Sequence, residues 1–387
     1  MWYNKFVIRD KKARNILVIG NGFDLAHELN TSYVDFLQVI EILDNTKIID
    51  LTLEPHKFLS EFQNKKNEKV VRDYVFRKLG NKSLDVVQNF IDLKYRNFWV
   101  MYFCALLDKF GRRKTTWIDF EAQIKDVIID VENAIANGDL LINNDGLITG
   151  INNIRVRECL FKRDKNLRSS KDIIQVLESD LNDLIYCFEL YTEKFVNDII
   201  KIGDINFISP DIESLHIDKV LSFNYTRTFE YIYGKGKNIE YHYVHGKADI
   251  NHTVETSNLI MGINEYLPDD RKDKDLNFIE FKKFYQRICK GTGSLYKRWL
   301  KEANKSQPCH VYIFGHSLDV TDSDILRDLI LNKYTFTTIY YQNQNTKKKQ
   351  VSNLIRVIGQ DELIKRTSEA LPTIKFKQQQ PMRKLIR

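Results

Sequence analysis

Cysteine is scarce and scattered. Five occur in 387 residues, at 104, 159, 187, 289 and 309, with no C-x-x-C pair, which argues against a zinc ribbon or a thiol-exchange motif and fits a reducing compartment. Long apolar runs are lacking as well. The opening residues, MWYNKFVIRDKKARN, hold no apolar core of the kind a signal peptide needs. The most apolar stretch, Phe98 to Leu107, is about half a membrane span. A cytoplasmic chain with no membrane partner is therefore expected. No internal repeat or low-complexity tract occurs. Nor is charge of one sign concentrated, since 59 Lys and Arg stand against 52 Asp and Glu, a net +7 spread over the whole chain that reads as a solvated basic surface. Apart from the Lys347-Lys348-Lys349 run, features of a nucleic-acid-acting toxin are missing. There is no clear metal-binding carboxylate set and no aromatic stacking platform, so nucleic acid is not an expected partner. Asp319, Asp322 and Asp324 do cluster, but at a helix start, where capping and the helix dipole account for them.

What is present is a core-forming chain, 43% hydrophobic, with two textures. An apolar strand, NILVIG, leads into helical material over about Tyr33 to Leu43 and again over about Lys57 to Leu79, and the next 120 or so residues read as helical. In the strongest segment Leu177, Leu181, Leu184, Phe188, Tyr191, Phe195 and Ile199 form one apolar stripe. From Lys219 the runs VLSFNY, IEYHYVHG, NLIMGI, HVYIFGHS and TFTTIYY are short, β-branched and aromatic, separated by turns or helical patterns. Strands alternating with helices imply a parallel sheet, which the first strand must join to satisfy its own edges. The expected organisation is an α/β domain from residues 1–45 and 205–387 with a large all-helical insertion at 46–204. FKRDKNLRSS, 161 to 170, reads as a loop, and the terminal KQQQPMRKLIR as a frayed basic tail.

Four strand exits carry polar residues or glycine. After the first strand come Gly20, Asn21, Gly22, Phe23 and Asp24. A strand, a Gly-x-Gly turn and a helix start together can offer backbone N–H groups to an anion, or can simply leave a strand sharply with Asp24 as the N-cap. Asn224 follows VLSF, His245 precedes Gly246, and Gly315 to Ser317 follow VYIF. In an open parallel sheet those ends share one crevice. Each has a plainer reading: Asn224 as a turn former, His245 as a satisfied buried histidine, Ser317 as a helix cap.

The segments GNGFDLAHELNTSY, SFNYTRTFE with VHG, and IFGHSLDVTDSDIL resemble the AbiH family of bacterial anti-phage abortive-infection proteins, and their order and spacing are similar to the wider sirtuin-like fold, whose members bind NAD. The resemblance covers about residues 15 to 40 and 217 to 342. It implies a sirtuin-like, Rossmann-type nucleotide-binding domain. The cofactor-binding set would be Gly20, Asn21, Gly22, Phe23 and Asp24, with Gly20 and Gly22 on the pyrophosphate, and Gly315 with Ser317 near the adenosine ribose. It also implies catalysis by Asn224, holding the nicotinamide ribose and a water, and by His245 as base, with NAD as substrate and no metal. The implied activity is hydrolysis of NAD in phage defence, silent until triggered; the candidate partners are a phage-derived trigger, another defence protein or a second copy of the chain.

The sequence departs from the sirtuin pattern at Asn21, Asp24, Glu28 and Asn30, and a carboxylate at Asp24 competes with phosphate for the same N–H groups. This favours the alternative of a nucleotide sensor or scaffold without catalysis. The four zinc cysteines of deacylating sirtuins are absent, which argues against a peptide deacylase. TTWIDFEAQI is also AbiH-like: Thr116 with Asp119 reads as a capping arrangement, Trp117 and Phe120 as core, and Glu121 either as part of that helix start or as a residue facing the crevice.

Cleaving the nicotinamide–ribose bond suits this residue set. Nicotinamide leaves as a neutral molecule, the transition state is oxocarbenium-like, and the protein must supply position and a base. An imidazole can take the proton, and an amide can donate and accept at once without changing charge.

Overall fold

The computed structural model describes residues 14–44, 90, 92–110, 120–201, 205–368 and 370–385. The expected helix over Lys57 to Leu79, the residues Thr116, Trp117 and Asp119, and the side chain of Ile199 lie outside the described residues. Six parallel strands form the main sheet: β1 Arg14–Ile19, β2 Lys219–Ser222, β3 Glu240–Tyr243, β4 Cys309–Phe314, β5 Thr335–Tyr341 and β6 Ile374–Gln378. Their order across the sheet is β3-β2-β1-β4-β5-β6. The direction of winding reverses between β1 and β4, and in doubly wound sheets the crevice beyond that reversal is where ligands bind.

The pattern in β1 shows why it is central. Ile16, Leu17, Val18 and Ile19 are all buried, as expected of a strand covered on both faces. Side chains alternate across a strand. Ile16 and Val18 accordingly pack with Val311, Ile313, Leu326 and Leu354 on one face, while Leu17 and Ile19 pack with Phe23, Val220, Phe229 and Phe314 on the other.

A third apolar cluster gathers the helices Tyr33–Asp44, Phe98–Phe110, Phe120–Ala136, Ile154–Arg163 and Ser170–Tyr191. The last of these is the anticipated stripe helix, started by a Ser169/Asp172 capping box, with Leu177, Leu181, Leu184, Phe188 and Tyr191 buried. It runs on through a π-helical turn, Thr192–Asn197, which buries Phe195. The cluster also takes in Leu259, Met261, Phe278 and Phe281, so the helices share their core with the segment that follows β3. No helix among the described residues is long and apolar enough to cross a membrane. The five cysteines form no disulfide.

Four expectations need correction. The insertion is not all-helical, since Leu141–Ile142 pairs antiparallel with Ile148–Thr149 across a turn at Gly146. NLIMGI is not a strand: the Ile260 N–H donates to His245 O (2.8 Å), the Tyr225 hydroxyl donates to Ile260 O (2.7 Å), and the Gln286 side chain binds both the N–H and the C=O of Met261 (3.0 and 3.1 Å). Side chains thus take the place of a neighbouring strand. FKRDKNLRSS is only in part a loop, since Phe161 to Arg163 end one helix and Ser170 begins the next. The described part of the tail, Lys377 to Leu385, is not frayed. Lys377 and Gln378 finish β6, Lys377 Nζ and the Gln380 N–H bind the Asp211 carboxylate (2.9 and 2.7 Å), and Arg383–Lys384 pairs antiparallel with Phe207–Ile208.

Leu184, fully buried on the stripe, offers a test of this packing. Leu184→Ala is expected to lower the unfolding free energy by about 2–5 kcal/mol, read by chemical denaturation; a variant as stable as wild type would mean that the helix is not packed in this way.

Candidate functional site

The turn that follows β1 touches the turn that follows β4. Gly20 leaves the strand with extended backbone, and the Gly22 N–H donates to Gly315 O (2.8 Å). A Cβ at Gly22 would lie 2.8 Å from Gly315 O, and one at Gly20 would lie 2.9 Å from Cα of His316. Gly315 has φ +69°, and a Cβ there would fall 2.0 Å from the Phe23 N. All three glycines therefore allow backbone to pack on backbone across the switch point. Glu28 adopts φ +60°, a left-handed conformation uncommon for a residue other than glycine.

Asp24 is not a helix cap; Gly20 holds that position with no side-chain cap. Its carboxylate is instead buried. Oδ2 accepts from Thr226 Oγ1 (2.6 Å), Oδ1 has no hydrogen-bond partner among the described residues, and burial pushes the pKa up to about 6 against the lowering effect of the Thr226, Thr228 and Asn224 side chains. Beside it, Asn224 joins two strand ends by donating from Nδ2 to Gly20 O (3.0 Å). Phe23 is core, packed on His27, Phe229, Tyr233 and Phe314. Asn21 accepts from Thr31 Oγ1 (2.6 Å). Ser317 is exposed and caps no helix: Asp319 caps the short 3-10 turn Val320–Asp322, and Asp322 precedes the helix Ser323–Leu331.

Around His245 lies a buried charged cluster. Its Nε2 is 3.0 Å from Asp322 Oδ1, though off the line of a hydrogen bond. Asp322 Oδ1 also lies 3.1 Å from Lys283 Nζ, and Lys283 Nζ lies 2.8 Å from Glu121 Oε2. On the other side, His316 Nδ1 accepts the N–H of Leu318 (2.9 Å), so its proton sits on Nε2, 3.5 Å from Asp322 Oδ2. Leu318 has φ +59°, a strained conformation for leucine that aims its N–H at the ring. The Phe223 ring contacts both imidazoles edge-on, with centroids 5.3 Å from His245 and 4.3 Å from His316.

The charges balance in a definite sense. Burial, and then the Lys283 charge, lower the His245 pKa, with Asp322 opposing them, so the ring is uncharged near pH 7. Burial works against ionised Asp322, yet Lys283 and His245 hold its carboxyl well below the usual range. Burial likewise works against the Lys283 ammonium, yet Asp322 and Glu121 hold its pKa above the ordinary value. An uncharged imidazole beside an ionised carboxylate can act as a general base, and an amide at the neighbouring strand end can orient what that base attacks or activates.

The structure thus sets Asn224, Gly20, Gly22, Asp24, His245 and Gly315 on adjoining strand exits and leaves Ser317 at the rim. Sequence reasoning passed over His316 and Lys283 and explained Asp322 by capping and the helix dipole. His316 lay between the two chosen residues Gly315 and Ser317; nothing in the sequence marks Lys283, which reaches the site only through the fold. Glu121 pairs with Lys283 in the charged cluster around His245, and its neighbour Phe120 is core. His27, also buried, is structural: Nδ1 donates to Phe23 O and Nε2 accepts from the Tyr233 hydroxyl (both 2.7 Å), with burial pushing its pKa down to about 4. No three-residue metal-binding group of His, Cys, Asp or Glu occurs among the described residues.

Two outcomes follow. In ligand-free protein, Gly22→Ala should cost about 1–3 kcal/mol, because the rigid Gly315 carbonyl must move; an unchanged denaturation midpoint would mean that the two turns do not touch. For Asp24, whose folded pKa is raised, the carboxyl group's contribution to stability is complete below about pH 4 and lost as pH rises through about 6. The stability of Asp24→Asn relative to wild type should therefore rise between pH 4 and pH 7, by on the order of 3 kcal/mol at most. His27 drops out of that comparison, being common to both proteins. A difference that is flat with pH would place Asp24 in water.

A family model described as bacteriophage abortive infection AbiH matches residues 16–342. No curated protein matches the chain.

Proposed function

The chain belongs to the AbiH family of bacteriophage abortive-infection proteins, and on that premise we propose that it is an effector that hydrolyses NAD to nicotinamide and ADP-ribose. Its family gives it a role in phage abortive infection; the chemistry is our reading. One observation carries it: a β3-β2-β1-β4-β5-β6 parallel sheet has its reversal lined by an amide, Asn224, and an uncharged, carboxylate-backed imidazole, His245, on adjoining strand ends. That strand order is the one with which dinucleotide-binding sheets bind across the switch point.

In this reading NAD lies along the strand ends with its nicotinamide ribose near Asn224, whose amide orients the ribose and a water. The N-glycosidic bond breaks with its electron pair going to the nicotinamide nitrogen, which leaves neutral. The water oxygen bonds to the anomeric carbon, and its proton passes to His245. Asp322 then faces the imidazolium and stabilises it. The glycine turn is not what supports the proposal, because the Gly22 N–H is already held by Gly315 O.

That occupied N–H, with the Asp24 carboxylate buried at the same turn, favours a second reading in which the site senses a nucleotide, or serves as a scaffold, without catalysis.

Purified protein incubated with NAD and followed by chromatography should release nicotinamide. His245→Ala and Asn224→Ala should each slow release by at least about 100-fold while melting as cooperatively as wild type, and should abolish phage protection in cells. NAD binding without nicotinamide release would select the sensor, and folded variants that keep wild-type turnover would defeat the catalytic assignment.

A further inference from the structure

Lys283 is an unusual residue for a protein interior. It is about 99% buried, it lies between two carboxylates contributed by distant parts of the chain, and neither of them precedes it in its own helix. A buried ion pair is seldom worth more than well-packed apolar residues of the same volume, because desolvation of the charges offsets their attraction. Stability alone therefore does not account for it.

Its partners show what it connects. Glu121 is the second residue of the helix Phe120–Ala136, and its position is set by Phe120, whose ring is stacked between those of Tyr33 and Phe103 with centroids 4.2 and 3.8 Å away. Asp322 lies at the exit from β4 and touches both His245 and His316. Lys283 itself begins a short helix fastened to the extended segment beneath His245, with its N–H on Ile263 O (2.8 Å). A single ammonium thus joins the helical part of the chain to the strand ends.

We propose that Lys283 is a positioning residue, clamped by Glu121 and Asp322, that fixes the Asp322 carboxylate against His245. The proposal rests on the reading of His245 as the base, but the clamp itself is a property of the folded protein and can be observed without substrate. The groups that bear on His245 are Asp322 from the β4 exit, Lys283 and Arg287 from the helix Lys283–Cys289, His316 across the Phe223 ring, and Glu121 behind Lys283. Arg287 is paired with Asp324, and the Tyr225 hydroxyl is committed to Ile260 O.

This arrangement has a signature that loosened packing cannot imitate. Lys283→Met removes a like charge from the protonated ring and should raise the His245 titration midpoint by about one pH unit or more. Glu121→Gln removes an opposite charge and leaves Lys283 to Asp322 alone, so the midpoint should fall. The double variant, which deletes a neutral pair, should return it close to the wild-type value. A merely structural role predicts otherwise: water entering a loosened site would carry both single variants in the same direction, toward the ordinary imidazole value.

The experiment is a pH titration of the full-length protein labelled with 15N-histidine, followed by NMR, with the His245 signals assigned from their absence in His245→Ala. Nicotinamide release is measured on the same samples. Opposite shifts in the two single variants, with recovery in the double variant, are the expected result. If Lys283→Met fails to fold, a downward shift in Glu121→Gln supports the clamp. Shifts of the same sign, or no shift in a folded variant, overturn it. Shifts as expected in a protein that leaves NAD intact would uphold the clamp and defeat the NAD reading.

Discussion

The structure depends on one close contact, the Gly22 N–H on the Gly315 carbonyl, made where the winding of the sheet reverses. Strands β1 and β4 are neighbours in register from Arg14 to Ile19, and if both chains are to leave the sheet at its reversal their turns must pass within backbone distance. Only residues without a Cβ allow that. Once the turns touch, the other positions follow: Gly20 offers its carbonyl to Asn224, His316 is pressed beside Gly20, and the chain beyond Leu318 swings Asp322 back toward His245.

On that frame the protein builds two acid environments with different outcomes. Asp24 and Asp322 are both buried and both face the strand exits. Asp24 has hydroxyl donors and no cation, so burial wins and its pKa is raised. Asp322 has the Lys283 ammonium beside it, so charge wins and it stays ionised. A carboxylate that remains negative near neutrality can hold and stabilise a neighbouring imidazole as that ring takes and gives a proton, whereas one that titrates near 6 cannot do so steadily.

The helical part of the chain is more than a cover. Its aromatic core seats Phe120, and through Phe120 the carboxylate of Glu121, at the edge of the sheet site. The same core includes Met261 and Phe281, which flank the segment and helix carrying Lys283. The electrostatics of the charged cluster around His245 are therefore set partly by residues far from it in sequence, and docking of the helices is a condition for the observed charge balance.

What the sequence determined by itself is what local periodicity and backbone chemistry encode. The parallel sheet, the incorporation of β1, the helix from Tyr33, the apolar stripe from Leu177 to Phe195 and the convergence of four strand exits were legible, because alternation, 3.6-residue repeats and glycine placement depend on neighbours in the chain. The sixth strand was not legible, because it pairs with β5 while burying only Ile374 fully, which leaves little apolar alternation to read; nor were the paired C-terminal residues, whose hydrogen-bond partners, Asp211 and Phe207–Ile208, lie more than 160 residues away. Nor was NLIMGI, whose strand-like composition is overridden by side-chain bonds from Gln286 and Tyr225. The site divided in the same way. Asn224 and His245 could be selected as polar residues at strand ends, but the capping explanation of Asp322, the neglect of His316 and the silence about Lys283 were all failures of locality. Whether a buried aspartate is neutral or ionised, and which histidine it faces, depends on charges brought within about 4 Å by the tertiary fold, and Coulomb energies at that range in a low-dielectric interior exceed the local preferences that sequence patterns report.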